Sequence, residues 1–233
     1  MRQALSKAEI ESGMASRFGD AFRVHERVHE RLHEKDVRET LSTGIAEMDE
    51  LSGGVPRGAI SEIFGPRSSG RTSLLYSLLS YATAHDELCA LVDMSDVFAP
   101  TAATAAGIDF ERLLWIRCSA DLEHAFKATD LLLHAGGFGL VILDIGDLAG
   151  KEARRIISSW WYRFRRTVEN RPTALVVISE EACTRSCAAL TLELHGTPEW
   201  SRNLLSFNSI NANRCRPLWP TANESQFRAQ AIA

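Results

Sequence analysis

Apolar residues in this chain gather into short runs separated by stretches in which they recur every three or four positions. Runs of strand length occupy Ala59 to Phe64 (AISEIF), Cys89 to Asp93, Leu113 to Ile116, Leu140 to Asp144 and Ala174 to Ser179. Between the first two, Leu74, Leu75, Leu78, Leu79 and Ala82 fall at helical spacing within Thr72 to Ala84,. Further helices are predicted near Pro100 to Ala106, Leu122 to His134 and Glu152 to Val168,. Buried strands alternating with helices predict an α/β fold with a mostly parallel central sheet covered by helices on both faces. The end of the chain reads differently. In Ala188 to Leu194, Leu190, Leu192 and Leu194 alternate with polar positions, and Leu204 to Ile210 is a second strand. With HGTPEWSRN between them, the two predict an antiparallel hairpin that extends the sheet. Residues Leu218 to Ala233 show no period and are expected as a tail,.

Near the N-terminus, Val24 to Lys35 is a three-fold tetrapeptide repeat, VHER-VHER-LHEK. Four-residue spacing on a helix stacks like with like, so Val24, Val28 and Leu32 form one narrow apolar stripe beside a stripe of His25, His29 and His33. A stripe this thin cannot build its own core. It either lies as a solvated helix on its own domain or docks on a second subunit or a partner. The expected organisation is an N-terminal helical extension (1–40), a core domain (41–217) and a C-terminal tail (218–233).

Composition narrows the classes. A chain of 233 residues, 45% hydrophobic and 24% charged, suffices for one substantial core,. It contains no apolar run long enough to span a membrane and no secretory signal pattern, so a cytoplasmic protein without membrane contact is expected. The five cysteines fit a reducing compartment and give no disulfide framework,. No metal is expected: the histidine stripe lacks a third ligand placed by motif, and Cys183, Cys187 and Cys215 lack zinc-site spacing. A net charge of −4 argues against coating nucleic acid by bulk electrostatics, leaving DNA contact weak, local or indirect,. A local basic surface is offered by KEARRIISSWWYRFRRTVENR (Lys151 to Arg171), read as a single amphipathic helix with Ile157, Trp160, Trp161, Phe164 and Val168 on one face,. Its Arg163, Arg165 and Arg166 are the candidates for DNA contact.

The strongest chemical signal is Gly65-Pro66-Arg67-Ser68-Ser69-Gly70-Arg71-Thr72. It fits the phosphate-cradling loop G-x-x-x-x-G-K-[ST] at every fixed position except the lysine, where Arg71 stands,. The strand before it and the helix after it supply the required context. Glycines let backbone N–H groups close around phosphates at a helix N-terminus, the lysine reaches the terminal phosphates, and Ser/Thr holds Mg²⁺. A planar guanidinium does not substitute for a compact ammonium.

With that loop placed, the chain resembles the RecA family of strand-exchange ATPases. The resemblance runs through LSTGIAEMDELSGGVPRGAISEIFGPRSSGRTSLL (Leu41 to Leu75), LVDMSDVFAP (Leu91 to Pro100), AGIDFERLLWIRC (Ala106 to Cys118) and LVILD (Leu140 to Asp144). It implies ATP and Mg²⁺ as cofactors, with Asp144 at the second Mg²⁺-site position. Three departures bear on activity. Arg71 replaces the lysine. The family's water-activating glutamate falls at Ser95, leaving neighbouring Asp96, or Asp93, as the only substitute carboxylates. The nucleotide-sensing glutamine falls at about Glu180. Hydrolysis is therefore not expected. The family's DNA-binding loops are also short, Gly146 to Lys151 and Glu181 to Cys187. Among RecA-like paralogs the chain is most similar to the ImuA family, accessory proteins of a bacterial SOS-induced translesion mutasome, through PRGAISEI, DVFAPTAATAAGIDFERLLWIR, EARRI and LLSFNSINANRCRP. That similarity implies as partners RecA itself, a catalytically inactive Y-family polymerase homolog of the ImuB type and an error-prone replicative-type polymerase. The competing expectation is a working ATPase that mediates recombination, with Arg71 on the phosphates and Thr72 and Asp144 on Mg²⁺.

Overall fold

The computed structural model describes residues 39–201, 204–217 and 223–230. The repeat from Val24 to Lys35, with its Val24, Val28 and Leu32 stripe, lies outside the described residues.

The chain opens on β1 (Thr40–Leu41), α1 (Ala46–Ser52) and β2 (Val55–Pro56), with β1 and β2 paired antiparallel. It continues through β3 (Ile60–Phe64), α2 (Arg71–Ala84), β4 (Cys89–Asp93), α3 (Pro100–Ala105), β5 (Leu113–Arg117), α4 (Leu122–Ala135), β6 (Leu140–Asp144), α5 (Gly150–Ala153), α6 (Ser158–Val168), β7 (Ala174–Ser179), β8 (Ala188–Ser201), β9 (Leu204–Arg216) and β10 (Glu224–Gln230). The main sheet has eight strands in the order β10-β9-β8-β3-β7-β6-β4-β5. From β8 to β5 every pairing is parallel, and β8, β9 and β10 pair antiparallel. The expected architecture is thus the observed one.

Period-two alternation explains why both faces of the central strands are apolar. Leu91, Ile142, Val176 and Ile178 face a core shared with α1, α2 and α3. Val92, Val141, Leu143, Leu175 and Val177 face a second core built on α4 and α6. In α2, Leu74, Leu78 and Leu79 are fully buried, worth about 2 kcal/mol each. The LSTG segment anchors this helix from outside. Asp49 on α1 accepts from Thr43 N at 2.8 Å and Ser42 Oγ at 2.5 Å, and Ser77 Oγ on α2 donates to Thr43 O at 2.9 Å.

Three expectations are corrected. The C-terminal segment is not wholly a tail: residues 224–230 form β10 along β9, from Glu224 opposite Asn213 to Gln230 opposite Phe207. The hairpin is longer than the alternation indicates, because HGTPEW continues β8 instead of turning. The stretch Lys151 to Arg171 is two helices, broken at Arg154 to Ile157, and Ile157 is 68% exposed while Trp161, Phe164 and Val168 are buried. The break lets Ile156 enter the core and turns Ile157 outward. No described helix is long and apolar enough to cross a membrane.

Candidate functional site

From the end of β3 the chain passes through Gly65 to Gly70 and enters α2 at Arg71. The loop leans on the strands beside β3. Gly65 N donates to Ser179 O at 3.3 Å, and a Cβ on Gly65 would lie 2.3 Å from the Leu194 carbonyl oxygen. Gly70 has φ +100 and is covered by Ile210, whose Cδ1 would be 2.2 Å from an added Cβ, so only glycine satisfies both the conformation and the space. Pro66, Arg67 and Ser68 are exposed at the rim, Ser69 and Gly70 are buried, and Thr72 is exposed on the first turn of α2. The first N–H groups of a helix have no intrahelical acceptor and sit at the positive end of its dipole. The backbone of a phosphate cradle is therefore present.

The charged groups around it are arranged differently from what the motif predicts. Arg71 reaches across to the β6–α5 loop, where Nη1 donates to Gly146 O at 2.9 Å. Burial lowers the guanidinium from its ordinary value, while Asp144, Glu180 and Asp147 push it back up. Asp144, at the end of β6, accepts from Gly146 N at 2.8 Å. Burial pushes its carboxyl up to about 6, against the pull of the Gly146 N–H and Arg71. Arg67 Nη2 lies 3.5 Å from Asp147 Oδ1 across the rim. Both loop arginines therefore point at the acids of the β6–α5 side.

The candidate bases are committed elsewhere. Asp93 stands beside Asp144 in register, but its carboxylate accepts from Val97 N at 3.2 Å, Phe98 N at 3.0 Å and Trp115 Nε1 at 3.2 Å. It caps the segment after β4. Asp96, at φ +59, is turned to Arg117, whose Nη2 donates at 3.1 Å. Three residues past the end of β4, the Asp96 side chain joins the β5 edge through Oδ2, while its buried Oδ1 has no hydrogen-bond partner among the described residues. Ser95, partly buried, has no carboxylate to offer.

The candidate DNA contacts separate. Arg163 binds Asp130 of α4 in a two-pronged pair, 2.7 Å from Nε to Oδ1 and 2.5 Å from Nη2 to Oδ2, and lies over the Trp160 ring at 5.8 Å. It ties α6 to α4 while its side chain stays 56% exposed. Arg165 and Arg166 are exposed.

Glu62 carries a role that the sequence does not announce. It is buried in the middle of β3, with Oε1 accepting from Cys183 N at 2.6 Å and Thr184 N at 2.9 Å, and Oε2 from Thr184 Oγ1 at 2.7 Å. The crossover from β7 to β8, Glu180 to Cys187, contains no α-helix and is pinned to β3 through this carboxylate. Burial, with Glu62 beside it, pushes the Cys183 thiol well up. A single acidic residue in a short buried strand is the sequence signal for this contact.

Residues 13–153 match the RecA N-terminal domain. The chain belongs to the RecA family. Protein RecA of Wigglesworthia glossinidia brevipalpis is 32% identical over 160 residues, 61% of this chain and 47% of that protein. Protein RecA of Rickettsia canadensis (strain McKiel) is 37% identical over 108 residues, 46% of this chain and 31% of that protein. The chain thus spans less than half the length of these curated relatives. The crystal structure of the RadB recombinase superposes with a TM-score of 0.64 at 18% identity, covering 81% of this chain and 96% of that one. At that identity the likeness concerns the fold alone.

In a P-loop of this family Mg²⁺ lies between the Ser/Thr of the loop and the acid at the end of the second motif strand. The residues present do not fit it. Thr72 and Asp144 are both present, but the Arg71 guanidinium is hydrogen-bonded to Gly146 O beside Asp144, so a cation there would meet a fixed positive charge.

Proposed function

We propose that this RecA-family protein is a non-hydrolysing scaffold of the ImuA type, acting in the bacterial SOS response as an accessory of a translesion mutasome. The observation that carries the non-hydrolysing part is the Arg71 side chain bonded to Gly146 O instead of projecting free over the cradle. Ser95 in place of the glutamate, and the engagement of Asp93 and Asp96, support it further. With serine at the position of the family's water-activating glutamate, the site lacks that general base while the loop keeps its backbone form.

The mutasome role is supported by the resemblance of Asp96 to Arg117, Glu152 to Ile156 and Leu204 to Pro217 to the ImuA family. The short, Glu62-pinned β7–β8 crossover fits it too, since a protein without long DNA-binding loops acts through partners. The proposed partners are RecA, the ImuB-type polymerase homolog and the error-prone polymerase. The docking element proposed for one of them is the Val24, Val28 and Leu32 stripe.

The test is co-purification with RecA and with the polymerase homolog, with ATP, with ADP and without nucleotide. The expected result is a complex whose yield does not depend on nucleotide and falls on removal of residues before Thr40. Absence of any complex contradicts the scaffold reading, and an unchanged yield after truncation rejects the stripe.

A further inference from the structure

Arg71 is the first residue of α2, so its backbone belongs to the cradle while its guanidinium belongs to the β6–α5 loop. The far end is packed. A Cβ placed on Gly146 would lie 2.9 Å from Asp144 Oδ1, 3.1 Å from Arg71 Nη1 and 3.4 Å from Arg71 Cζ. Carboxylate and guanidinium thus close on the same point from two sides, and Gly146 is the residue that lets them.

Two oxygens beside this point each accept one hydrogen bond. Gly146 O accepts from Arg71, and Asp144 Oδ1 accepts from Gly146 N. The charged groups around it are Asp144, Asp147, Glu180, Asp93, Arg67 and Arg71, so two arginines of the loop itself stand among the acids that would otherwise gather a divalent cation. A guanidinium stays protonated even when buried. Mg²⁺ requires a near-octahedral shell of free oxygens and carries two charges of the same sign as the group beside it.

We infer that Arg71 is a resident occupant of the cation position, excluding Mg²⁺-nucleotide and joining α2 to the β6–α5 loop in place of a ligand. The inference rests on the non-hydrolysing reading and goes beyond it: it concerns binding, where that reading concerns turnover. In consequence the β6–α5 loop holds one position whether or not nucleotide is present.

The test is titration of the full-length chain with a fluorescent ATP analogue in Mg²⁺ and in EDTA, for the native sequence, Arg71→Lys and Arg71→Gln. Thermal melts establish that each variant is folded. The native protein is expected to show no saturable binding at millimolar analogue. Arg71→Lys is expected to bind at least about 30-fold more tightly, with the gain lost in EDTA. Arg71→Gln, similar in reach but uncharged, is expected to admit Mg²⁺ and bind more weakly than the lysine variant. Native binding equal to that of Arg71→Lys overturns the inference, as does absence of binding by both folded variants. If neither variant folds, hydrogen exchange on the native protein decides: exchange over residues 145–149 unaltered by Mg²⁺-ATP supports it, and slowed exchange overturns it. Phosphate release is a separate readout, so loss of the non-hydrolysing reading leaves a different trace from loss of this one.

Discussion

Two carboxylates two strands apart in the sheet, with β7 between them, meet opposite fates. Glu62 lies mid-strand on β3, fully buried, with three donors from a single loop converging on its two oxygens. Asp144 lies at the end of β6, receives one backbone N–H and shares its surroundings with Asp93, Arg71 and Asp147. A buried charge whose hydrogen bonds are all supplied locks a chain segment in place. A charge at a strand end with few donors is held by its neighbours' charges, and exchanging one neighbour changes what the site can bind. The contrast separates what fastens this fold from what decides its activity.

The largest test of the contrast is Glu62→Ala. It strands Cys183 N, Thr184 N and Thr184 Oγ1 in the core and is expected to cost about 3–5 kcal/mol in chemical denaturation. Glu62→Gln keeps one acceptor oxygen and is expected to cost about 1–2 kcal/mol. Equal, small losses from both would show that the crossover is not pinned there.

Asp144 is expected to behave in the opposite sense. Its folded value of about 6 lies above that of an unfolded aspartate, so the native state holds the proton more tightly,. Stability from this group is greatest in acid and falls as pH rises from about 4 to about 6. Asp144→Asn should remove that slope and stabilise the protein by about 2 kcal/mol at pH 8. Destabilisation at pH 8 would mean that the carboxylate is better satisfied than its burial implies.

Arg163→Ala is expected to cost about 1 kcal/mol, since the Asp130 partner is largely buried but the arginine is 56% exposed,. DNA retention should be unchanged by it; loss of retention with no loss of stability would return Arg163 to a nucleic-acid surface. The smallest effect is kinetic. Cys215 is exposed while Cys89, Cys118, Cys183 and Cys187 are buried, and burial pushes the Cys89 thiol up to about 12. A thiol reagent should label Cys215 first, and Glu62→Gln should speed labelling of Cys183 but not of Cys89.

Much of the fold was legible because the central strands are apolar on both faces and the helices between them carry clear periods. The strand β10 was not, because ESQFRAQ sits at the sheet edge and among its described side chains only Phe227 reaches the core. Nor was the break before α6, which contains neither proline nor glycine and follows from where Ile156 finds room. The cradle could be read from its glycines, yet the destination of Arg71 depends on Gly146, a contact 75 residues distant. Local pattern carries no signal for such a pairing. Glu62 is the converse case, a visible acid in a strand whose partners lie 121 and 122 residues on.

Phosphate release from ATP by the purified full-length chain, with Mg²⁺ and with single-stranded DNA, tests the central claim most directly. Release at the rate of a Thr72→Ala control is the expected result. DNA-stimulated release that Thr72→Ala abolishes would contradict it, and would mean that Arg71 leaves Gly146 when nucleotide arrives.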